Sequence, residues 1–498
     1  MSVHYAHDPR TAPPCSADDA VDLAPRRLLI GGRWEAAERR RRLVVEDPAT
    51  GLPLCSVADA APGDCLRALA AAACAGPVWA GRTPRERARV LRRAADALRD
   101  GIETFAMLGT LEMGKPLAES REEVGFAADY LEWYAEEAVR LGGRQALDPD
   151  GRVRHIVIHQ PVGPCLIVTP WNFPLAVPAR GLAAALAAGC TVVLRPSSLA
   201  PLSALALARV LVEAGLPDGA LNVVVSSEDG ASDGMLADPR LRKLTFTGSE
   251  AVGRHLLAEA AGGVVRTSVE LGGCAPFIVF ADADLDAAVD GAVAAKMRNG
   301  GAAWFPRHRF FVQQAHPHQV DARPPPRAPL VHLGRGTRRG ATLGPVIGER
   351  HRRRLADLVA DAVARGARVL LDGGPLPGPG WFFRPVVLTD VCDDARIMRE
   401  EAFGPVAPIR AFDGEGEVLG MANDRDSGLA AYLYTRDLDR VLRVGGSLEA
   451  GMVGVNCGRV SSVAAPFGGV KHSGHGCSGG PEGIAEYLVT RYLAIPEA

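Results

Sequence analysis

An α/β protein built around a parallel sheet is the fold class that this sequence predicts. Two observations support it. Between residues 163 and 281, short β-rich runs alternate with segments of helical period, which is typical of parallel sheets with helices on both faces. Apolar residues make up 47% of a 498-residue chain, so two or three domains with sizeable cores are expected.

The elements follow in order from the N-terminus. Residues 1–27 contain many Pro and Asp residues and are expected to form a flexible tail. Residues 83–115 have helical period, with Thr83 as the N-cap and Pro84 at the first helical position. Residues 124–141 predict another helix.

The remaining elements are mostly strands. Residues 152–161 alternate between polar and apolar and predict a hairpin arm, and residues 483–495 end the chain in a strand-like run. Between them lie the runs GPCLIVTPW, CTVVLRPS, ALNVVVSS, KLTFTGS and APFIVFAD. The longest apolar run, VPARGLAAALAAGCTVVL, contains an Arg and two Gly, so it predicts a buried helix leading into a strand rather than a membrane span.

Composition excludes some function classes. The net charge of −2 gives no reason to expect a nucleic-acid partner, and no membrane segment is predicted. The ten cysteines include no CxxC pair or metal-ligand spacing, so we expect reduced thiols, no metal site and a cytoplasmic location. A secretory leader is not recognisable at the N-terminus.

Four motifs carry the functional information: TPWNFPL (169–175), ELGG (270–273), EEAFGPV (400–406) and PFGGVKHSG (466–474). In this order and at these separations the chain resembles the NAD(P)-dependent aldehyde dehydrogenases from about residue 28 to 496, and most closely the NADP-dependent succinate-semialdehyde dehydrogenases. The resemblance implies a Rossmann-type NADP-binding domain (28–144 and 162–272), a catalytic α/β domain (273–482) and an oligomerisation arm (145–161 and 483–498).

The chemistry of these enzymes explains the first two motifs. A Cys thiolate adds to the aldehyde, hydride leaves to the nicotinamide, and a carboxylate activates the water that hydrolyses the thioester. By resemblance, Asn172 donates to the oxyanion and Glu270 is the general base. The alternatives are a turn residue for Asn172 and a surface acid at a strand end for Glu270.

Cofactor binding is implied at both ends of the dinucleotide. Gly248 and Ser249 open a helix after the strand KLTF, where backbone N–H groups suit a pyrophosphate. The resemblance adds Thr169 and Trp171 of the first motif and, at the nicotinamide ribose, Glu401 with Phe403, the alternative for Glu401 being a solvated acid.

The preferred cofactor follows from the turn VLRPSS (193–198). Ser198 stands where many NAD enzymes of the family have Glu, and Arg195 replaces Lys. A hydroxyl and a guanidinium both suit a 2′-phosphate, so NADP is preferred over NAD, unless the turn has simply drifted.

The substrate prediction rests on three further positions. In the resembled enzymes the far carboxylate of succinate semialdehyde is read by residues that correspond to Arg180, Arg298 and Ser461. All three have the expected type here. The alternative is that the two arginines pair with acids of the core.

The nucleophile loop departs from the family pattern. Asn299, Gly300 and Gly301 match it, but Trp304 stands at the position of the catalytic Cys and has no nucleophile. Residues 302–338 are anomalous throughout: three consecutive prolines (324–326) forbid the helix that the family has there, and residues 302–332 hold four of the twelve histidines.

Two explanations of this segment remain open. The first is a pair of compensating frameshifts, which would change the composition of the segment but preserve its length, and which could be a sequencing error or a genetic lesion. The second is true divergence of the segment. Cys477 and Ser478, where the family has Arg-Glu, suggest either relaxed constraint or errors in the sequence reads. Cys274 and Cys457 do not lie in the nucleophile loop, so neither is expected to replace the missing thiol.

Three functions therefore compete. The first is NADP-dependent oxidation of succinate semialdehyde, with the activity of this chain in doubt at Trp304. The second is an NADP-binding subunit without catalysis that assembles with an active relative, and the third is a structural protein without a ligand. The arm at 145–161 is expected to pair with the C-terminal strand of another subunit, giving a homodimer or homotetramer.

Overall fold

The computed structural model describes residues 16–303, 307–314 and 331–497. Between residues 163 and 271, strands and helices alternate as predicted. The α-helices are α1 (Ala17–Asp22), α2 (Pro62–Ala80), α3 (Pro84–Asp100), α4 (Ile102–Met113), α5 (Leu117–Arg140), α6 (Ala176–Ala188), α7 (Leu202–Glu213), α8 (Asp233–Leu236), α9 (Glu250–Gly262), α10 (Leu285–Met297), α11 (Glu349–Ala364), α12 (Arg396–Arg399), α13 (Glu415–Asn423), α14 (Leu438–Ser447) and α15 (Gly480–Ala485). None of these helices is long and apolar enough to cross a membrane.

Short strands separate the helices. They are β1 (Leu28–Ile30), β2 (Arg33–Glu35), β3 (Arg42–Asp47), β4 (Leu52–Ala58), β5 (Arg144–Leu147), β6 (Val153–Pro161), β7 (Cys165–Val168), β8 (Val192–Arg195), β9 (Leu221–Val223), β10 (Lys243–Gly248), β11 (Arg266–Leu271), β12 (Ala275–Val279), β13 (Arg307–Gln313), β14 (Arg368–Leu371), β15 (Gly374–Pro375), β16 (Phe383–Arg384), β17 (Val386–Thr389), β18 (Val406–Phe412), β19 (Ser427–Gly428), β20 (Ala430–Tyr434), β21 (Met452–Val455), β22 (Val470–Lys471), β23 (Gly474–His475) and β24 (Leu488–Pro496).

The first sheet has the strand order β2-β1-β9-β8-β7-β10-β11-β23. Its five central strands, from β9 to β11, run parallel to one another. Helix α6 is buried along its whole length and leads into β8, as its apolar sequence predicts. The edge strand β23 comes from the range 273–482, for which a separate catalytic domain was expected.

The second sheet has the order β14-β17-β18-β13-β12-β20-β21. Strand β13, which follows the anomalous loop, lies parallel between β12 and β18. The buried guanidinium of Arg309 in β13 donates to the carbonyl oxygens of Cys274, Met421 and Ala422 at 2.6–3.0 Å. The strand is therefore tied into the core even though its neighbouring segment departs from the family pattern. The prediction for Pro324–Pro326 lies outside the described residues.

The arm is a three-stranded antiparallel sheet in the order β24-β6-β5. Strand β24 pairs with β6 of the same chain over nine residue pairs, from Leu488 opposite Pro161 to Pro496 opposite Val153. The expectation that the arm pairs with the C-terminal strand of another subunit was therefore wrong. A hairpin followed by a distant strand carries no sequence signal that distinguishes pairing within a chain from pairing between chains.

Two helix predictions need correction, the first because the helix is interrupted and the second because it starts earlier. The helical segment predicted for 83–115 divides into α3 and α4 at Gly101, although Thr83 caps α3 as predicted and accepts a hydrogen bond from the N–H of Glu86. A glycine inside a helical pattern costs only about 1 kcal/mol, so the pattern alone does not show the break. Helix α5 begins seven residues before the predicted start at residue 124, directly after Pro116.

Candidate active site

The predicted cofactor residues lie at the carboxyl edge of the first sheet. Thr169 follows β7, Arg195 ends β8 and Gly248 ends β10, while Glu270 lies near the end of β11 opposite Thr247. Since these strands are parallel, their carboxyl ends meet at one edge, where ligands of open α/β sheets bind.

A cavity of about 490 Å³ opens at this edge. Seven predicted site residues line it: Trp171, Asn172, Gly248, Ser249, Glu270, Glu401 and Phe403. Arg180 lies directly behind this wall, because it contacts both Glu270 and the lining residue Phe467. These seven residues thus come together around one space, whereas the predicted cofactor residues Thr169, Arg195 and Ser198 are not part of its lining.

Asn172 is fully buried beside the described part of the nucleophile loop. Its side-chain Nδ2 donates to the carbonyl oxygen of Ala302 at 2.8 Å, and its backbone oxygen accepts from Lys115 Nζ at 2.9 Å and Asn299 Nδ2 at 2.8 Å. The amide is therefore held rigidly, as a donor to a developing oxyanion must be.

The nucleophile loop has an unusual backbone up to the last described residue before its gap. Asn299, Gly300 and Gly301 have φ values of 56°, 67° and 77°, a left-handed region that favours glycine. A Cβ on Gly301 would lie 2.3 Å from the carbonyl carbon of Gly404, so the loop passes close to another backbone segment. The N–H of Asn299 donates to Glu119 Oε2 at 2.7 Å. Trp304, the predicted nucleophile position, lies outside the described residues.

Glu270 is held by donors from three elements. Arg180 of α6 donates through Nη2 to Oε2 of Glu270, and the hydroxyl of Ser478 donates to Oε1. Thr247 of β10 lies 3.5 Å away on the Oε2 side. The guanidinium of Arg180 also lies over the ring of Phe467, with 4.4 Å between its central carbon and the ring centroid. In the structure, Arg180 therefore pairs with a buried acid, Glu270, which is the alternative that the sequence left open for it.

The other two predicted substrate residues lie nearer the surface. Arg298 contacts Glu122 at 3.5 Å and lies over the ring of Phe173 at 5.9 Å. Ser461 is partly buried. Arg459 approaches the same Glu122 at 3.6 Å, so two guanidinium groups share one carboxylate. Arg459 was not predicted as a site residue, since no motif marks it.

The adenosine end of the predicted cofactor site is preorganised by hydrogen bonds. Arg195 donates to Ser232 Oγ and to the carbonyl oxygen of Glu228, both at 3.0 Å. Ser198 follows three residues later in the turn after β8 and is partly buried. The guanidinium of Arg195 is therefore fixed at the sheet edge beside α8.

Two features, one in the cavity wall and one directly before it in the chain, fit a dinucleotide. Ser249 is the N-cap of α9, but its hydroxyl does not bond to the first turn, so the hydroxyl and the helix N–H groups remain open to a phosphate. Thr169 is buried, and its hydroxyl has no hydrogen-bond partner among the described residues. A buried hydroxyl of this kind is costly unless a ligand satisfies it.

The nicotinamide end is lined by aromatic rings and a buried acid. Trp171 lies edge-on to Phe403, with ring centroids 5.3 Å apart, and 6.0 Å from His351. Burial raises the pKa of Glu401 to about 7, although Arg354 and Lys296 lower it. Hydrogen bonds from ribose hydroxyls would favour the ionised carboxylate.

Glycine is required beside this acid. A Cβ on Gly272 would lie 2.1 Å from Glu401 Oε2, so any side chain at that position would displace the carboxylate. The first glycine of the second motif therefore keeps the Glu401 carboxylate in its place.

The structure adds lining residues that sequence reasoning missed. His351 and Arg354 reach the cavity from α11, and the ring of His351 donates to the carbonyl oxygen of Phe403 at 2.7 Å. Burial lowers the pKa of His351, so it is neutral in the wall. Both residues belong to the basic run ERHRRR, which reads as a solvated helix face and gave no signal of a site.

Neither Cys274 nor Cys457 is positioned to act as the nucleophile in place of the missing thiol. Cys274 lines the cavity, but burial raises the pKa of its thiol to about 11, so it is protonated at neutral pH. Cys457 is partly buried, and its thiol contacts the carbonyl oxygen of Arg459 at 3.4 Å.

Comparisons with known proteins agree with this geometry. Residues 34–493 match the aldehyde dehydrogenase family. A succinate-semialdehyde dehydrogenase of Paenarthrobacter nicotinovorans is 50% identical and covers 89% of this chain and 99% of its own length. A glutarate-semialdehyde dehydrogenase of Pseudomonas aeruginosa is 45% identical, covering 95% and 98%. The crystal structure of an NADP-dependent enzyme of E. coli has a TM-score of 0.94 at 43% identity and covers 96% of this chain and 99% of its own.

Proposed function

This chain belongs to the aldehyde dehydrogenase family, and from that premise we propose that its site is built to bind NADP and succinate semialdehyde. The observation that carries the substrate is the guanidinium of Arg180, which is 3% exposed and lies immediately behind the cavity wall. A fixed, buried cation at that place suits an aldehyde that has a carboxylate at its far end. Trp304 supplies no thiol, so the oxidation stops before its covalent step.

The remaining residues match the steps that a thiol at position 304 would start. Such a thiolate would add to the aldehyde carbon, and Asn172 would donate to the oxygen that becomes negative. When bound, NADP would supply the hydride acceptor, so that the carbon joined to the thiol sulfur would lose its hydride and become a thioester. Glu270 would then take a proton from the water that releases the acid and the thiolate.

The preference for NADP rests on the turn after β8. Ser198 presents a hydroxyl instead of a carboxylate, and Arg195 is held nearby by Ser232 and the carbonyl of Glu228. A carboxylate at 198 would repel a 2′-phosphate, whereas this pair suits one. The E. coli structure, described as an NADP-dependent enzyme, supports this choice for a similar protein.

A second candidate function is an NADP-binding subunit without catalysis. It is favoured by one observation: the cofactor cavity and the loop up to Ala303 are formed, although position 304 carries no nucleophile. Both functions use the same contacts to NADP. They differ in residues 302–338: a non-catalytic subunit would have this sequence, whereas an enzyme would have a different sequence there. Resequencing this part of the gene separates them.

Binding measurements test the proposal without requiring turnover. The chain should bind NADP at least tenfold more tightly than NAD, measured by quenching of Trp fluorescence. In the NADP complex, succinate should bind at least tenfold more tightly than butyrate, which lacks the second carboxylate, measured by calorimetry. Charged hydrogen bonds of about 1.5–3 kcal/mol each support factors of this size.

Two variants provide matched controls for these measurements. Ser198→Glu should shift the preference toward NAD and leave succinate binding unchanged. Arg180→Ala should abolish the difference between succinate and butyrate and leave the cofactor preference unchanged. Equal affinities for the two cofactors in the original chain would refute the NADP assignment, and equal affinities for the two acids would refute the substrate.

We extend the proposal to assembly. Edge strands β5 and β24 of the arm expose apolar side chains, among them Leu147, Tyr492, Leu493 and Ile495, which are 42–57% exposed. Exposed apolar strands of this kind favour pairing with another chain, so we expect a homodimer or homotetramer. Light scattering should give two or four times the chain mass of 52.4 kDa, and a monomer would contradict the assignment.

The proposed location is the cytoplasm. The nine cysteines within the described residues are free thiols, as expected in a reducing compartment.

A further inference from the structure

The carboxylate of Glu270 is occupied on both oxygens by donors of this chain. Arg180 donates to Oε2 and Ser478 to Oε1, and Thr247 lies 3.5 Å from Oε2. The side chain of Glu270 is 6% exposed. A general base must accept a proton from water, and a carboxylate that accepts from a guanidinium and a hydroxyl is poorly placed for this task.

Arg180 has the converse requirement. Its side chain is 3% exposed and sits against the face of Phe467, so its charge needs a carboxylate nearby. In the protein alone Glu270 meets this need. A substrate carboxylate that reaches the same guanidinium would leave two negative charges at one buried cation, which is unfavourable at low local dielectric.

We propose that the substrate carboxylate displaces Glu270 from Arg180, so that the base is released toward the cavity only when a substrate of the right chemistry is bound. The proposal rests on the proposed function and adds a coupling between substrate recognition and the availability of the base. Its substrate class is aldehydes with a terminal anion, because an uncharged aldehyde has no group that could take the place of Glu270.

Ser478 is the positioning residue of this device. Its backbone forms a pair of hydrogen bonds with Phe467, N to O at 2.6 and 2.8 Å, so it is tied to the ring on which Arg180 lies. The family pattern has Glu at this position, and a second carboxylate there would repel Glu270. Ser478, which differs from the family pattern, therefore provides a hydroxyl donor that holds Glu270 in its pair with Arg180.

Calorimetric titration of succinate into the NADP complex of the full chain tests the coupling. Glu270→Gln removes the competing charge and should tighten succinate binding about tenfold or more, as expected when one charged hydrogen bond no longer has to be broken. Ser478→Ala keeps the charge of Glu270 but removes its hydroxyl donor, and should tighten binding by a smaller factor, about two- to fivefold. Binding of butyramide, which carries no carboxylate, should not respond to either change.

The chain offers a matched control for the charge removal. Glu486 is also held by a hydroxyl and a cation, because it accepts hydrogen bonds from Ser268 at 2.7 Å and from Lys243 at 3.3 Å. It lies away from the site, since Lys243 is the first residue of β10 and the site lies at the other end of that strand. Glu486→Gln should leave succinate affinity unchanged.

The outcomes separate the coupling from the proposed function. Unchanged or weaker succinate binding in both Glu270→Gln and Ser478→Ala, with normal binding by the original chain, overturns the coupling alone. If neither the original chain nor the variants bind succinate while NADP still binds, the proposed substrate and the coupling both fail. If Glu270→Gln does not fold, Ser478→Ala alone decides, since its tightening is required by the coupling.

Discussion

No NADPH should appear when the chain is mixed with NADP and succinate semialdehyde, and replacing residues 302–338 with a loop and helix of the family type should restore turnover. Removing the covalent nucleophile of a serine protease costs on the order of 10⁶ in rate, and Trp304 is in addition a bulky side chain at the nucleophile position. The measurement is absorbance at 340 nm at saturating cofactor and substrate.

The surroundings of the loop explain why replacement should suffice. Asn172 and Glu119 already hold the backbone of residues 299–302, and β13 pairs with β12 and β18 beyond the gap. Trp304→Cys alone should recover little, since Phe305 and Pro306 remain and a displacement of about 1 Å can cost roughly 10² in rate. Ordinary turnover by the unmodified chain would show that another nucleophile is in use. A replacement that folds and binds NADP but stays inactive would favour the non-catalytic subunit.

Lys115→Met should lower the free energy of unfolding by about 3–5 kcal/mol, the range found when one partner of a buried ion pair is removed. Lys115 and Glu123 are 0% and 3% exposed and lie 2.6 Å apart. The other oxygen of Glu123 accepts the N–H groups of Leu175 and Ala176 at the start of α6. Lys115 also donates to the backbone oxygen of Asn172, so its loss loosens the residue that we propose as the oxyanion donor. The shift of the urea midpoint at unchanged slope measures the effect.

An exposed pair provides the comparison for this stability change. Arg121 and Glu103 are bonded at 2.7–2.8 Å, but their side chains are 39% and 30% exposed. Arg121→Met should cost less than about 1 kcal/mol, because water and salt screen such pairs. Equal costs for the two substitutions would mean that burial of the Lys115 pair does not determine its contribution.

Local sequence patterns predicted the elements that depend on local physics. The capping residue Thr83, the buried helix α6 and the helix mouth at Ser249 are all determined by neighbouring residues, and all were predicted correctly. The break at Gly101 and the pairing of β24 within its own chain were missed. The first differs by about 1 kcal/mol from a continuous helix, and the second depends on contacts across more than 300 residues.

The site divides in the same way. Trp171, Gly248 and Glu401 belong to motifs, and the structure places all three in the cavity lining that the motifs led us to expect. His351 also lines the cavity but was not predicted, because nothing in a basic helix indicates which of its residues turns inward. The position of Arg180 was predicted, but its partner was not. Glu270 lies 90 residues away, and only the folded structure shows that the expected base and the expected substrate cation meet.

The arm bears on what happens when two kinds of subunit share a cell. The segments that form β5, β6 and β24 lie outside residues 302–338, so a chain without the thiol keeps the arm through which we propose that subunits pair. Expressed beside an intact relative with a compatible arm, such a chain would enter mixed assemblies in proportion to its abundance. Each assembly would then carry fewer working centres, and gene dosage of the silent subunit, rather than any small ligand, would set the activity of the population.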